Sequence, residues 1–191
     1  PITIQYNLNF GNLDLNGADG IAFVLQNQGT AALGAAGIGI GYQGITPSVV
    51  VEFDDYQNGF DPANDHVAVT LNGDPDHTSA GNVGAPLVSF PFNIEDGNWH
   101  SVQITWDPVT HTLQTSYDCQ VWLTYVNDIV NTIFAGNPIV WWGFTSGTGI
   151  RTNLHQFCFT PPLILTTNVT NVPCYGQCNG NAAVTNISGG I

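Results

Sequence analysis

Apolar residues along this chain come in short runs, alternating with polar ones and stopping at turns. Runs of this kind are "ITIQYNLNF" (2–10), "GIAFVLQ" (20–26), "GIGIGYQ" (37–43), "SVVVEFD" (48–54), "HVAVTL" (66–71), "WHSVQITW" (99–106), "TLQTSY" (112–117), "QVWLTYV" (120–126), "IVWWGFT" (139–145) and "LHQFCF" (154–159). Between them lie "NGADG", "NGDPD", "EDGN" and "SGTG", whose Gly, Asn and Asp residues suit turns. About ten short strands at this spacing predict an all-β fold, an antiparallel sandwich or jelly roll. Only "DIVNTIF" (128–134) reads as a helical turn. After "TPP" (160–162) the texture shifts to Asn, Thr, Gly and small residues. This predicts a domain over 1–161 and a linker opening a second module over 162–191.

Composition narrows the partners. Fourteen acids against one cation, Arg151, give a net charge of −13. Nucleic-acid backbones and anionic lipids need clustered Lys and Arg, so both are excluded as partners. No apolar run of about 18 residues occurs, which argues against membrane insertion. The 191-residue chain has 43% hydrophobic residues, enough for a real core. It lacks methionine and opens inside a strand-like run, as expected of a piece of a longer polypeptide with its first strand incomplete. Cys119, Cys158, Cys174 and Cys178 form no C-x-x-C pair. Cys119 and Cys158 can bridge adjacent strands, and Cys174 and Cys178 can close a small loop; the alternative is four buried thiols. Disulfides imply an extracellular or cell-surface location.

The chemistry concentrates in "VEFDDYQNGFDPANDH" (51–66), with five carboxylates and a histidine. Strand alternation puts Val49, Val51 and Phe53 on one face and Glu52 and Asp54 on the other. Two carboxylates on one face repel unless a cation lies between them. If the loop folds back, Asn58 and Asp61 cover Asp54 and His66 joins from the next strand. That supplies oxygen ligands for Ca²⁺ and a mixed oxygen and nitrogen set, Glu52, Asp54, Asp61 and His66, for Mn²⁺ or another transition ion. An EF-hand is excluded by the flanking strands, and by Tyr56 and Asp65 at ligand positions. A retaining glycosidase would need a second glutamate where Gln57 stands. No histidine has a Ser or Cys partner at a recommending spacing, so the chain reads as a non-enzyme.

Four segments carry a resemblance. "VEFDDYQNGFDPANDHVAV" (51–69), "NGADGIAFVLQ" (16–26), "DGNWHSVQITWD" (96–107) and "VWWGFTSGTG" (140–149) resemble, respectively, the metal-binding segment, the aspartate-bearing segment, an inner strand and a turn of the L-type, or legume-like, lectins. The resemblance spans roughly 1–160 and implies a concanavalin-like jelly roll that binds glycans. It implies Glu52, Asp54, Asp61 and His66 as transition-metal ligands, and Asp54, the Tyr56 carbonyl, Asn58 and Asp61 as Ca²⁺ ligands. It implies Asp19, after a cis Ala18–Asp19 peptide, as the sugar-binding aspartate. Asn58 would reach sugar hydroxyls, the Tyr56 ring the sugar's apolar face, and the Gly37 backbone N–H a further oxygen. Gly147 and Thr148 fall in the specificity loop. Arg151, in the same short loop, would contact an acidic sugar or, more plainly, pair with a nearby acid. The segment "NVTNVPCYGQCNGNAAVTNISGG" (168–190) resembles the opening of a repeat in bacterial gliding adhesins. The implied whole is a metal-dependent lectin domain of a secreted or surface-anchored adhesin.

Overall fold

The computed structural model describes residues 1–159. Ten strands form two five-stranded antiparallel sheets among them. The strands are β1 (Ile2–Asn9), β2 (Gly20–Gln26), β3 (Ser48–Asp54), β4 (His66–Leu71), β5 (Leu87–Ser89), β6 (His100–Asp107), β7 (Thr112–Tyr117), β8 (Gln120–Val126), β9 (Trp141–Gly147) and β10 (Gln156–Cys158). One sheet runs β10-β1-β6-β7-β8 and the other β5-β4-β3-β2-β9. A single helical turn, α1 (Ile129–Thr132), lies where "DIVNTIF" predicts it, with the Asp128 side chain accepting from the Asn131 N–H. No helix among the described residues is long and apolar enough to cross a membrane.

The inward-facing half of each alternating run builds the core between the sheets. Tyr6 and Leu8 of β1, Phe23 of β2, Val49, Val51 and Phe53 of β3, and Val102 and Ile104 of β6 all bury here. Each such side chain contributes about 1.5–3 kcal/mol by leaving water. The opposite face of β2 and β3 is also covered, by a smaller cluster of Ala22, Val24, Ile40, Tyr42, Ile45 and Val50. All seven residues of β3 are therefore buried.

The cover comes from the segment expected to be a strand over 37–43. It is instead a 3₁₀ turn, Gly37–Gly39, followed by tight turns. Gly37, Ile40 and Gly41 have φ of 62°, 43° and 72°, left-handed values that no strand accepts. Its Ile40 and Tyr42 bury by capping the second sheet from outside, while Ile38 stays exposed. Strand β5 was not visible in the sequence, being three residues long and preceded by a proline.

The Cys119–Cys158 bridge does not form: Cys158 is a free, exposed thiol. Cys158 pairs with Asn7, Asn7 with Ser101, and Ser101 lies beside Asp118, next to Cys119. Three strand spacings of about 4.8 Å separate the two cysteines, roughly twice a disulfide's reach. Cys174, Cys178 and the boundary near Pro162 lie outside the described residues.

Candidate functional site

The site is built where β3 ends. Antiparallel pairing sets Asp54 opposite His66 on β4 and opposite Gly20 on β2. Glu52, two residues earlier, shares Asp54's outer face and is 1% exposed. The Tyr42 hydroxyl, carried in by the covering segment, donates to Glu52 Oε2. Beyond Asp54 the loop curls on itself. Its own carboxylates take the backbone donors: Tyr56 N–H to Asp54 Oδ1 at 2.8 Å, and Asn58 N–H to Asp61 Oδ2 at 2.7 Å. The Asn58 amide nitrogen lies 3.4 Å from the Tyr56 carbonyl. Asp61 thus returns over the strand, and ligand atoms of Asp54, Asp61 and His66 lie within 4.8 Å of one another.

His77, which directly follows the turn segment "NGDPD" (72–76), joins this cluster. Its Nε2 stands 2.9 Å from Glu52 Oε1, 3.5 Å from Asp61 Oδ1 and 3.1 Å from His66 Nε2. His66 Nε2 is itself 3.8 Å from Glu52 Oε1 and 4.0 Å from Asp61 Oδ1. Glu52 Oε1 and Asp61 Oδ1 are buried and accept no well-aligned hydrogen bond. The donors fall into two overlapping groups that share His66, one with Glu52 and His77 and one with Asp54 and Asp61.

The electrostatics say what the cluster needs. Burial, then the charges of Glu52 and Asp61, pushes the Asp54 carboxyl well above its usual range. At Glu52, burial acts in the same sense, but contacts with His66 and His77 outweigh it and hold the group below its ordinary value. At His77, burial works to lower the pKa, and contacts with Asp61 and Glu52 overcome this and raise it to about 9. Buried carboxylates without partners cost several kcal/mol each, so a cation between them answers the chemistry of this donor set. The loop side, with Asp54, Asp61, the Tyr56 carbonyl and Asn58, offers oxygens suited to a hard ion such as Ca²⁺. The strand side adds imidazole nitrogens.

Asp19 lies beside the cluster, since its neighbour Gly20 pairs with Asp54. Asp19 follows a cis Ala18–Asp19 peptide, as the resemblance implied. Its N–H donates to the Gly147 carbonyl at 3.0 Å, tying the start of β2 to the end of β9. Its Oδ2 is buried with no hydrogen-bond partner. Burial, then the charge of Asp55, raises the Asp19 carboxyl, with His155 acting in the opposite sense. Gly37 and Gly149 stand close to this oxygen: a Cβ on Gly149 would lie 3.8 Å from both Asp19 Oδ2 and the Gly37 Cα. Gly147 is buried, and a Cβ there would meet Gly37 N and O at 3.1 Å. Thr148 is exposed. Of the expected sugar-binding residues, the structure brings Asp19, Gly37 and Gly147 together, with Tyr56 and Asn58 on the adjoining loop; Gly149 was missed.

Asp55 is engaged from far along the chain. Its Oδ2 lies 2.7 Å from His155 Nε2, and His155 Nδ1 lies 3.2 Å from Ser146 Oγ. Ser146 in turn donates to the Gly20 carbonyl at 2.7 Å. The row resembles a nucleophilic triad only in composition, because the serine proton is committed to a backbone oxygen. It fastens the loop after β3 to β9. Arg151 pairs with no acid among the described residues; its Nη1 meets Asn16 Oδ1 at 2.5 Å. It borders a cavity of about 530 Å³ with Asp14, Asp55, Tyr56, Asp65 and Phe92.

Residues 1–161 match the legume lectin beta-barrel domain family. Among solved structures, the basic winged bean lectin with Tn-antigen superposes with a TM-score of 0.61 at 21% identity, over 82% of this chain and 66% of that one. The winged bean acidic lectin complexed with methyl-α-D-galactose gives 0.62 at 21% identity, with the same coverage. A Bauhinia forficata lectin in complex with GalNAc gives 0.58 at 17% identity, over 81% of this chain and 69% of that one. The chain spans about two thirds of the length of these lectins.

Proposed function

This chain belongs to the legume lectin domain family, and on that premise we propose that it is a metal-dependent carbohydrate-binding domain. Membership sets it among carbohydrate-binding proteins rather than enzymes. The observation that carries the reading is Asp19: a buried carboxylate oxygen without a partner, under the backbone of Gly37 and Gly149, which we read as the base of a sugar-binding cleft where ligand hydroxyls supply the missing donors.

In this reading Ca²⁺ is held by Asp54, the Tyr56 carbonyl, Asn58 and Asp61, and a transition ion by Glu52, Asp54, Asp61 and His66. The ions supply positive charge to a loop of converging carboxylates and so fix its shape before a sugar arrives. The chain's own groups then do the recognition. Asp19 Oδ2 accepts from a pair of sugar hydroxyls, the Asn58 amide donates to a sugar oxygen, and the Gly37 N–H offers a further donor. The half-buried Tyr56 ring provides an apolar plate for the sugar's C–H face. Thr148 on the rim and the side chain of Arg151 set which sugars enter.

The broader setting rests on the segment 168–190 and its resemblance to a gliding-adhesin repeat: a secreted or surface-anchored bacterial adhesin that binds cell-surface or extracellular glycans. The test is Asp19→Ala. The variant is expected to lose glycan binding by at least about a hundredfold while Ca²⁺ affinity changes less than about threefold, since Asp19 faces the cleft rather than the ions. Glycan binding that survives this substitution defeats the assignment of the cleft.

A further inference from the structure

We propose that His77 is a direct ligand of the transition-metal position, making it a two-histidine site that selects a late first-row ion such as Zn²⁺ over Mn²⁺. The inference deepens the metal reading above and rests on it.

The donor separations carry the argument. Donors sharing one ion at bonds of about 2.0–2.2 Å sit about 3 Å apart when they are neighbours in its shell. His77 Nε2 meets this against three separate atoms, at 2.9 Å from Glu52 Oε1, 3.1 Å from His66 Nε2 and 3.5 Å from Asp61 Oδ1. Glu52, His66 and His77 form a group whose ligand atoms all fall within 4.8 Å. Neither carboxylate oxygen accepts a well-aligned hydrogen bond, and the polar atoms nearest to each include the His66 and His77 nitrogens themselves.

The imidazole is also built into place. It comes from the turn after β4, which Asn82, itself 2% exposed, pins from inside. The Asn82 amide nitrogen donates to the carbonyls of Asp74 and Asp76, both at 2.9 Å, and its oxygen accepts from the Leu71 N–H at 2.8 Å. Asp76 Oδ1 accepts from the Thr78 N–H and hydroxyl on the far side of His77. The Phe60 ring meets the His77 ring edge-on, and the His66 ring stands nearly perpendicular to it, 83° between planes. A ligand held this way loses little freedom on binding an ion.

Affinity for divalent ions rises along the first row from Mn²⁺ to Cu²⁺, and imidazole steepens the rise where carboxylate flattens it. A second imidazole in place of water therefore raises Zn²⁺, Co²⁺ and Ni²⁺ affinity more than Mn²⁺ affinity. The opposing arrangement is a protonated His77 that stands in for the ion as a counter-charge. The two make opposite predictions, because removing a ligand weakens metal binding while removing a competing cation strengthens it.

The test is calorimetric titration of the EDTA-stripped, Ca²⁺-reloaded full chain with Zn²⁺ and separately with Mn²⁺, for the wild type and His77→Gln. The proposal expects Zn²⁺ affinity to fall at least about tenfold in the variant and Mn²⁺ affinity to fall no more than about threefold. Equal losses for both ions, or tighter binding in the variant, overturn it. A Co²⁺-loaded wild type keeps the test decisive if the variant misfolds: two paramagnetically shifted imidazole N–H signals support the assignment, and one refutes it. Failure of the wild type to bind either ion overturns the metal reading as well, whereas binding indifferent to His77 overturns this inference alone.

Discussion

Glu95 is 3% exposed, and one of its oxygens has no hydrogen-bond partner. Burial, followed by the charges of Asp65 and Asp55, pushes its carboxyl up to about 9. An acid whose folded pKa exceeds its unfolded value, about 4.3, is at full stability below that value. Its contribution is lost as pH rises toward 9, so at neutral pH this residue opposes folding. Glu95→Gln keeps the shape without the charge. Its melting temperature is expected to exceed the wild type's at pH 8, with the difference vanishing by pH 4; a gain equal at both pH values contradicts the assignment. At this scale the sequence was most informative where ligands share one segment. Glu52, Asp54, Asp61 and His66 fall within fifteen residues, and strand alternation alone puts two of them on one face. His77 was illegible because its place depends on how far the next strand runs before its turn doubles back. Asp55 and His155 are 100 residues apart, and only the folded sheet makes them neighbours.

Among the elements, the β6 and β7 ends are joined by charge as well as by hydrogen bonding. His100 Nδ1 lies 2.7 Å from Asp118 Oδ2 and its Nε2 lies 3.0 Å from Asp96 Oδ1, while its ring stacks on Tyr117. Burial disfavours charge on all three groups. The pairings, with added donors from Asn98 and Ser101, outweigh it, raising His100 and lowering Asp96 and Asp118. A raised histidine contributes fully below about pH 6.5 and loses its contribution as pH climbs through the folded value. Lowered aspartates contribute above about pH 3.9 and lose their contribution as pH falls. The clamp is therefore complete between about pH 4 and 6.5. His100→Gln should lower the denaturation midpoint more at pH 5.5 than at pH 9, and equal losses would remove the charge from the explanation. The strands of this region were legible from period-two alternation. The 37–43 segment was not, because its apolar residues also recur at every second position while its glycines and Ile40 turn the backbone left-handed. Covering a sheet from outside and pairing within it leave the same one-dimensional pattern.

The whole molecule joins these scales. Two sheets bury one face of β3 in the common core, and the covering segment closes the other, so carboxylates along that strand end up dry. The fold class was readable because short alternating runs and turn residues recur throughout. Topology was not, since it depends on pairings between distant runs such as β1 with β6 and β2 with β9. The central claim is that cations hold the loop after β3 in a shape that lets Asp19 and its neighbours take a sugar. The measurement that bears on it most directly is glycan-array binding by the full chain, with Ca²⁺ and a transition ion present and again in EDTA. A defined set of bound glycans is expected, which disappears when the ions are removed and returns when they are restored. Binding that persists in EDTA, or no binding in either state while metal still raises the melting temperature, would contradict it.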